Sequence, residues 1–421
     1  MAEKSDMEKP SGLGKDSEYR LARAALEMTQ GILDRHRYRV AGTVECRQAA
    51  HEIAEALQTS CDNCQEESFT LHPKALWYLG RVIAVIYLLS TVFVTLGGYF
   101  TYAGCLLCLI GFLYGLSQYV FYWKLFDPLF KSADGCNVVG TLEPTGTVEQ
   151  QVVLVGHHDS PYVFSFLERF QRIAYIRFLL GMASFIWICV YSVLLSIRQL
   201  SFKQLHSAGG TPLWITVVGL LFALQLFFMM SKRKSPGAGD NLNSTSMNAG
   251  IAGYFRGERT AGAPLRHTRL IVLSTDGEEI GQRGAMEYVR RHYAELHVTP
   301  SYVLNIDSVY YYKDLAVLTR DRNCTCGLSK EMVFDIQEVA AASGLRVKTM
   351  PIPFGGGGTD ATPFAAAGIK TTAMIAQPTG LLSNDHLYHT SRDMVENIDL
   401  EVVRAIMEIA IGYVRKVDCK E

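Results

Sequence analysis

The sequence predicts a doubly wound α/β domain with a mixed sheet, interrupted by two transmembrane helical hairpins. Three observations carry this. Apolar runs at Val152–Val155, Leu270–Leu273 and Tyr302–Leu304 alternate with helix-like stretches at Ala285–Leu296, Lys330–Ala342 and Leu400–Val414, as in sheets flanked by helices. No charged residue occurs from Val82 to Trp123. Phe178–Ile197 and Pro212–Met230 are apolar again. A bilayer core needs roughly 20 apolar residues per helix, so each block is long enough to cross and return. Helices buried in a soluble core are the alternative, but uncharged runs of this length seldom occur there.

In chain order, residues 1–17 are polar, with no apolar stretch that could be a cleaved signal peptide, and read as a disordered tail. Residues 18–74 open the soluble domain with two amphipathic helices, the second at Cys46–Leu57. There Ala49, Ile53, Ala54 and Leu57 recur at helical spacing. The first hairpin takes 76–123 and turns at Gly97-Gly98. Residues 124–171 add strand-like stretches at Val138–Gly140 and Val152–Val155. The second hairpin takes 172–231, and 232–421 completes the domain. Without about 100 membrane residues, roughly 300 remain, enough for one such domain.

Each hairpin returns to the side it left, so all three soluble segments can assemble together. That side carries Lys74, Arg81, Lys124, Lys131, Arg169, Arg172, Arg177, Lys232, Arg233 and Lys234 next to the spans; the other has Arg198 and Lys203. The imbalance predicts an integral membrane protein of four spans with its soluble domain in the cytoplasm. Ten scattered cysteines agree with a reducing compartment. Cys61-Asp-Asn-Cys64 and Cys324-Thr-Cys326 are the close pairs, and without a second pair at zinc-finger spacing they read as plain thiols. The sequons at Asn243 and Asn323 read as chance matches. A net charge of −1 excludes a nucleic-acid role.

Five short motifs carry the chemistry: GHHDS (156–160), GAGDN (237–241), STDGEEIGQRG (274–284), NIDS (305–308) and HLYHT (386–390). Each follows an apolar run or a glycine-rich turn, where buried strands would deliver it to a common edge. Together they supply what two divalent ions sharing a carboxylate need: terminal His and carboxylate ligands, one bridging acid, and one free acid to move protons. Side chains alternate along a strand, so His157 and Asp159 point one way and His158 the other. That makes His157 the ligand and Asp159 the acid fixing its ring. Asp240 follows the Pro-Gly-Ala-Gly turn, where it can bridge two ions; capping the Asn241–Gly250 segment is the other role open to it. Glu278 and Glu279 leave a strand end before Gly281 and point in different directions, so one can bind metal while the other stays free as a base. Asp307 ends a third strand, and His389 comes last with His386 as its nearest rival.

This pattern resembles the co-catalytic di-zinc aminopeptidases, a family that also contains glutamate carboxypeptidases and glutaminyl cyclases. The matching features are H-x-D, G-A-x-D-N, D-G-E-E-x-G, N-x-D and Y-H-T-x-x-D. Arg39–Thr43 and Gly357–Asp360, with Pro363-Phe364 and Gly368-Ile369, extend the likeness, which covers about residues 18–70, 137–165 and 236–415. The resemblance implies two Zn2+ per chain, one held by His157 and Asp307, the other by Glu279 and His389, with Asp240 bridging. It implies Glu278 as general base, moving a proton from a metal-bridged water to the leaving amine. Thr359-Asp360-Ala361 stands where the family often has Ser-Asp-His, and Asn241-Leu-Asn-Ser244 where it has Asn-x-Ser-Gly. Both departures bear on substrate specificity.

The expected function is therefore a membrane-anchored zinc exopeptidase, an aminopeptidase acting on peptides. A carboxypeptidase or other amide hydrolase of the same fold is the alternative within the class. A non-catalytic amide-recognising subunit of a membrane complex is the alternative outside it. Glutaminyl cyclase activity would not need the full two-metal set, and a transporter would need ionisable residues within the spans. Partners are a peptide substrate and the lipid bilayer; nothing here sets the oligomeric state. Only about nine residues separate the fourth span's end at Ser231 from Asp240, at no more than ~3.6 Å each. The site should lie beside the membrane and favour hydrophobic or membrane-associated peptide ends. The segment Tyr162–Ile176, aromatic and interleaved with arginines, suits an interfacial helix or a packing helix leading into the third span.

Overall fold

The computed structural model describes residues 13–202, 209–380 and 382–420. Helix α1 (Lys15–Arg35) lays Ala22, Ala25, Ile32 and Leu33 inward. It begins inside the segment expected to be a disordered tail, of which residues 1–12 lie outside the described residues. Helix α2 (Val44–Ser60) starts at Thr43, whose hydroxyl accepts the Cys46 N–H at 3.3 Å. This satisfies one of the free amides of a helix start. Strand β1 (Asn63–Leu71) follows, then the short α3 (Lys74–Trp77) and the first apolar hairpin, α4 (Leu79–Leu96) and α5 (Tyr99–Gly115). The connection is Gly97-Gly98, both with positive φ (69° and 56°), a conformation glycine adopts without steric cost.

Strands β2 (Ala133–Leu142) and β3 (Gln150–His157) bring the chain to the first site motif. The segment expected as one helix over Tyr162–Ile176 is instead divided. β4 (Tyr162–Phe164) pairs with β5 (Met230–Lys234), and α6 (Ser165–Phe170) is followed by a 3-10 turn before α7 (Ala174–Phe202). Helix α8 (Gly210–Gln225) and its trailing turn complete the second hairpin at Phe228, so Met230 lies in a strand rather than in the predicted span. Lys203 lies outside the described residues.

The remainder alternates: α9 (Asn243–Thr260), β6 (Thr268–Thr275), α10 (Arg283–Arg291), α11 (Tyr293–Val298), β7 (Ser301–Val309), β8 (Leu315–Asp321), β9 (Cys326–Gly327), α12 (Lys330–Ala342), β10 (Lys348–Pro351), α13 (Ala361–Ala366), β11 (Lys370–Ala376) and α14 (Leu400–Asp418). The helix expected over Ala285–Leu296 breaks at His292, whose ring stacks on Tyr288 and meets Glu67 of β1 at 2.7 Å.

The sheet runs β1-β2-β6-β3-β7-β11-β8-β10, with β9 beside β8. Its centre, β6-β3-β7-β11, is parallel, and antiparallel pairs occur on both flanks. On β3, Val152 and Leu154 pack into the layer of α1, α2, α9, α12 and α14, while Val153 and Val155 pack against α10, α11 and α13. Burial on both faces explains why these strands read as unbroken apolar runs.

Among the described residues, four helical segments are long and apolar enough to cross a membrane: Leu79–Leu96, Tyr99–Val120, Ser165–Phe202 and Gly210–Phe228. They share a core of Ile83, Tyr87, Phe185, Ile188 and Leu226, and turn Leu96, Leu106, Leu194, Leu221 and Phe228 outward. Hydrogen bonds tie polar groups inside: Tyr87 donates to the Thr216 carbonyl at 2.8 Å, and Gln199 to the Thr101 hydroxyl at 2.9 Å. An apolar exterior over such an interior suits a hydrocarbon surrounding.

Candidate metal centre and active site

The carboxyl ends of the parallel strands meet at one edge of the sheet, where α/β folds bind ligands. β3 ends on His157. Its Nδ1 lies 3.1 Å from the Asp159 carbonyl oxygen and 3.3 Å from the Asp159 carboxylate, which leaves Nε2 aimed at Asp240 Oδ1, 3.3 Å away. His158 points the other way, as the alternation predicts, with Nδ1 2.8 Å from the Ser274 hydroxyl. The Asp159 carboxylate also accepts the backbone N–H groups of Glu278 and Glu279, each at 3.2 Å. One buried acid thus fixes the imidazole and the turn that presents both glutamates.

Asp240 sits just before α9, in the turn that opens with Gly237 at φ +63°. It caps no helix: α9 starts at Asn243 without a side-chain cap. Asp393, named in the sequence only as the end of the last motif, holds this turn. Its carboxylate accepts the Gly239 N–H at 2.7 Å, the Asp240 N–H at 3.3 Å and the Tyr310 hydroxyl at 2.9 Å. Arg39 ties the same turn to β3, donating to the His158 carbonyl at 2.8 Å and the Gly237 carbonyl at 2.9 Å.

His389 Nε2 lies 3.0 Å from Glu279 Oε2 and 3.1 Å from Asp240 Oδ2. Its ring is held between Tyr388 and Phe164, with centroids 3.9 and 4.3 Å away. Asp307, at the end of β7, accepts the Ser308 hydroxyl at 2.7 Å. Among the described residues, three triads meet here, His157–Asp240–Asp307, Asp240–Glu279–His389 and His157–Glu278–Glu279, each with its ligand atoms within 4.8 Å of one another. The first two share Asp240. Glu278 enters only the third, its carboxylate 3.9 Å from His157 Nε2. His386 joins none of them, so the structure brings together His389 rather than its rival.

The fit to zinc is chemical as well as geometric. His157 Nε2, His389 Nε2, Asp240 Oδ2 and Glu279 Oε1 are buried without hydrogen-bond partners, although buried polar atoms are normally paired. Imidazole nitrogens and carboxylate oxygens are zinc donors. Burial pushes the Glu278 carboxyl well above the ordinary carboxylate range, with Asp307, Asp360 and Glu279 adding to the effect and His157 opposing it. Burial likewise lifts Glu279 to about 8 and Asp307 to about 7. For His389, burial works downward, but the Glu279 and Asp240 carboxylates outweigh it and raise the ring to about 10. A divalent cation here favours ionised carboxylates and neutral imidazoles.

The segments that carry the two departures from the family pattern also brace the site. Thr359 donates its hydroxyl to Asp321 at 2.7 Å, and Asp360 accepts from Thr275 at the end of β6. Asn241 donates to the Ile306 carbonyl at 2.8 Å and so ties the Asp240 turn to β7.

A mixed α/β sheet with this donor set at its edge defines a zinc metallopeptidase, a hydrolase. Residues 229–414 match the model of peptidase family M28. The matched stretch holds Asp240, Glu278, Glu279, Asp307 and His389; the fold supplies His157 and Asp159 from before the second hairpin. Among solved structures, a zinc aminopeptidase from Bacillus subtilis is 14% identical with a TM-score of 0.56, covering 95% of each chain. A Bacteroides thetaiotaomicron glutaminyl cyclase bound to N-acetylhistamine is 10% identical with a TM-score of 0.56, covering 94% of this chain and 97% of that one. A Zn-dependent exopeptidase from Parabacteroides distasonis is 11% identical with a TM-score of 0.55, covering 93% and 97%. At these identities the likeness is one of fold. No curated protein matches the chain.

Asp393→Ala should weaken metal binding by about 10–100-fold, as loss of a group that orients a ligand does. It leaves two backbone N–H groups and a phenol unpaired in the interior. Metal retained against a graded chelator series measures this; wild-type retention would show that Asp393 does not hold the Asp240 turn.

Proposed function

We propose that the protein is a membrane-anchored, two-zinc exopeptidase that removes N-terminal residues from peptides. The observation that carries this reading is the sharing of Asp240 between the triads His157–Asp240–Asp307 and Asp240–Glu279–His389, which together need no ligand from Glu278. Asp240 would bridge two ions, His157 and Asp307 would complete one, and Glu279 and His389 the other. Bound zinc polarises a carbonyl oxygen and makes water acidic near neutral pH. Glu278 takes the proton of the attacking water and delivers it to the leaving nitrogen. Asp159 keeps the His157 ring and the Glu278–Glu279 turn in register.

The cavity beside the cluster favours the amino end over the carboxyl end. Among the described residues lining it there is no Lys or Arg to receive a terminal carboxylate, whereas Glu278 and Glu279 lie at its base. Retention of both glutamates also weighs against a purely recognising subunit. Zinc-loaded protein should hydrolyse free-amino peptides and leave N-blocked ones intact. Release of C-terminal residues from blocked peptides would overturn the amino-end assignment.

Membrane insertion with the catalytic domain in the cytoplasm rests on the four apolar segments and the basic residues gathered at one end of them. Arg81 lies 3.7 Å from the Trp77 ring and Arg177 3.9 Å from the Phe170 ring, as suits arginines at a membrane interface. Cys419 is exposed, whereas Cys46 and Cys136 are buried and would stay silent on either side. An impermeant thiol reagent should label Cys419 only after the membrane is opened. Labelling in intact cells would invert the orientation.

A further inference from the structure

The cavity at the metal cluster is lined by two chemically different sets of residues. Glu278, Glu279 and His389 belong to the cluster. The other set comprises Leu76 and Trp77 just before α4, Ala174 and Phe178 in the first turns of α7, and Met229 and Met230 where the second hairpin ends. Both hairpins therefore contribute to it, at the level where their helices leave the soluble domain. Its volume is about 320 Å³, roughly twice that of an engineered ~150 Å³ cavity that holds benzene. Among the described lining residues, the ionisable side chains apart from tyrosines are the three of the cluster and His386. Burial holds the His386 imidazole below its ordinary range, which keeps it neutral at pH 7. A basic or acidic substrate side chain would find no counter-charge outside the cluster, while a large apolar one would exchange water for Leu, Met and aromatic surface.

Resting on the exopeptidase reading above, we infer that the roots of both hairpins form the side-chain subsite of the active site, selecting peptides whose N-terminal residue is bulky and apolar. The hairpins then act as walls of the specificity pocket as well as anchors. The glycine-rich turn at 355–358, which also lines the cavity and lies beside Tyr175 and Phe178, is fastened to the first hairpin. Tyr119 donates to the Gly355 carbonyl at 2.7 Å, and Asn323 accepts the Gly355 and Gly357 N–H groups at 3.0 and 3.2 Å while donating to the Tyr119 carbonyl at 2.7 Å. This fastening makes the pocket's shape depend on the hairpin being in place.

The test is calorimetric titration of full-length Glu278→Gln protein in phosphatidylcholine nanodiscs with the amides of phenylalanine, leucine, glycine and lysine, empty discs serving as blanks. Phenylalanine and leucine amides should bind about 10–100-fold more tightly than glycine or lysine amide, the factor that burying one large apolar side chain supplies. Phe178→Asp should erase the preference for phenylalanine over lysine. If that variant fails to assemble, the four-amide series on Glu278→Gln protein decides alone. Equal affinity for glycine and phenylalanine amides, or preference for lysine amide, overturns the inference. Turnover of the same amides by zinc-loaded wild-type protein separates the two claims. Apolar preference in binding without any hydrolysis would sink the exopeptidase reading and leave the subsite standing. Hydrolysis without preference would do the reverse.

Discussion

Glu278→Gln should cut turnover by about 10²–10⁴-fold, the usual contribution of a positioned acid–base group, while metal content stays at the wild-type level. Gln has nearly the same shape, so the turn held by Asp159 should survive. What is lost is the ability to accept a proton. The surroundings prepare the side chain for that role, since it is largely buried beside His157 and burial keeps its carboxyl well above the range of a surface glutamate. A carboxylate tuned upward takes a proton from water more readily than a surface glutamate does, and a carboxylic acid can still pass that proton to an amine. Measured together, kcat and zinc per chain discriminate the roles: reduced kcat with full metal marks a proton carrier, reduced metal marks a ligand. Wild-type kcat with full metal would remove Glu278 from the reaction.

The candidate site was legible in the sequence because each candidate ligand terminates a local pattern. His157, Asp307 and the Asp276–Glu279 turn end apolar runs, and buried parallel strands have no other way to read. The four apolar helices were legible for the same reason, since length and absence of charge are local properties. Other elements carry no local signal. β1, Asn63–Leu71, pairs along one edge of the sheet and keeps a polar sequence. β5, with its basic Lys232-Arg233-Lys234, reads as a charged linker after the last span, yet pairs with β4. The aromatic and basic pattern of Tyr162–Ile176 is shared between a strand, a short helix and the start of α7, and composition alone does not separate them. The break at His292 falls inside an unbroken helical period, and only contacts to β1 explain it.

The same distinction applies to the supports of the site. Arg39 and Asp393 act across the fold: Asp393 is 153 residues from Asp240, and Arg39 is 198 from Gly237. Buried charge could have flagged them, but no spacing rule reports which turn they hold. The hairpins pose a comparable case. From the sequence they are insertions; in the fold they touch the catalytic cavity through Trp77, Phe178 and Met229.

Asp240→Ala is expected to have the other large effect, the loss of bound metal. In the proposed arrangement, removing the bridge leaves one pair, His157 and Asp307, and a second pair, Glu279 and His389. Two protein donors per ion fall short of the three that zinc sites in enzymes ordinarily keep. The substitution also removes the anion that both imidazoles face, at 3.3 and 3.1 Å, so the loss is felt at both positions rather than one. Purified Asp240→Ala protein dialysed against zinc-free buffer should retain less than one zinc per chain, with turnover falling in step. Fold is checked separately: Asp240 packs at the start of α9, and Asp393 still holds the Gly239 N–H, so helical content should remain. A folded Asp240→Ala protein that keeps two zinc ions would show that the ions do not share this carboxylate, and the two-metal assignment would have to be rebuilt around Glu278.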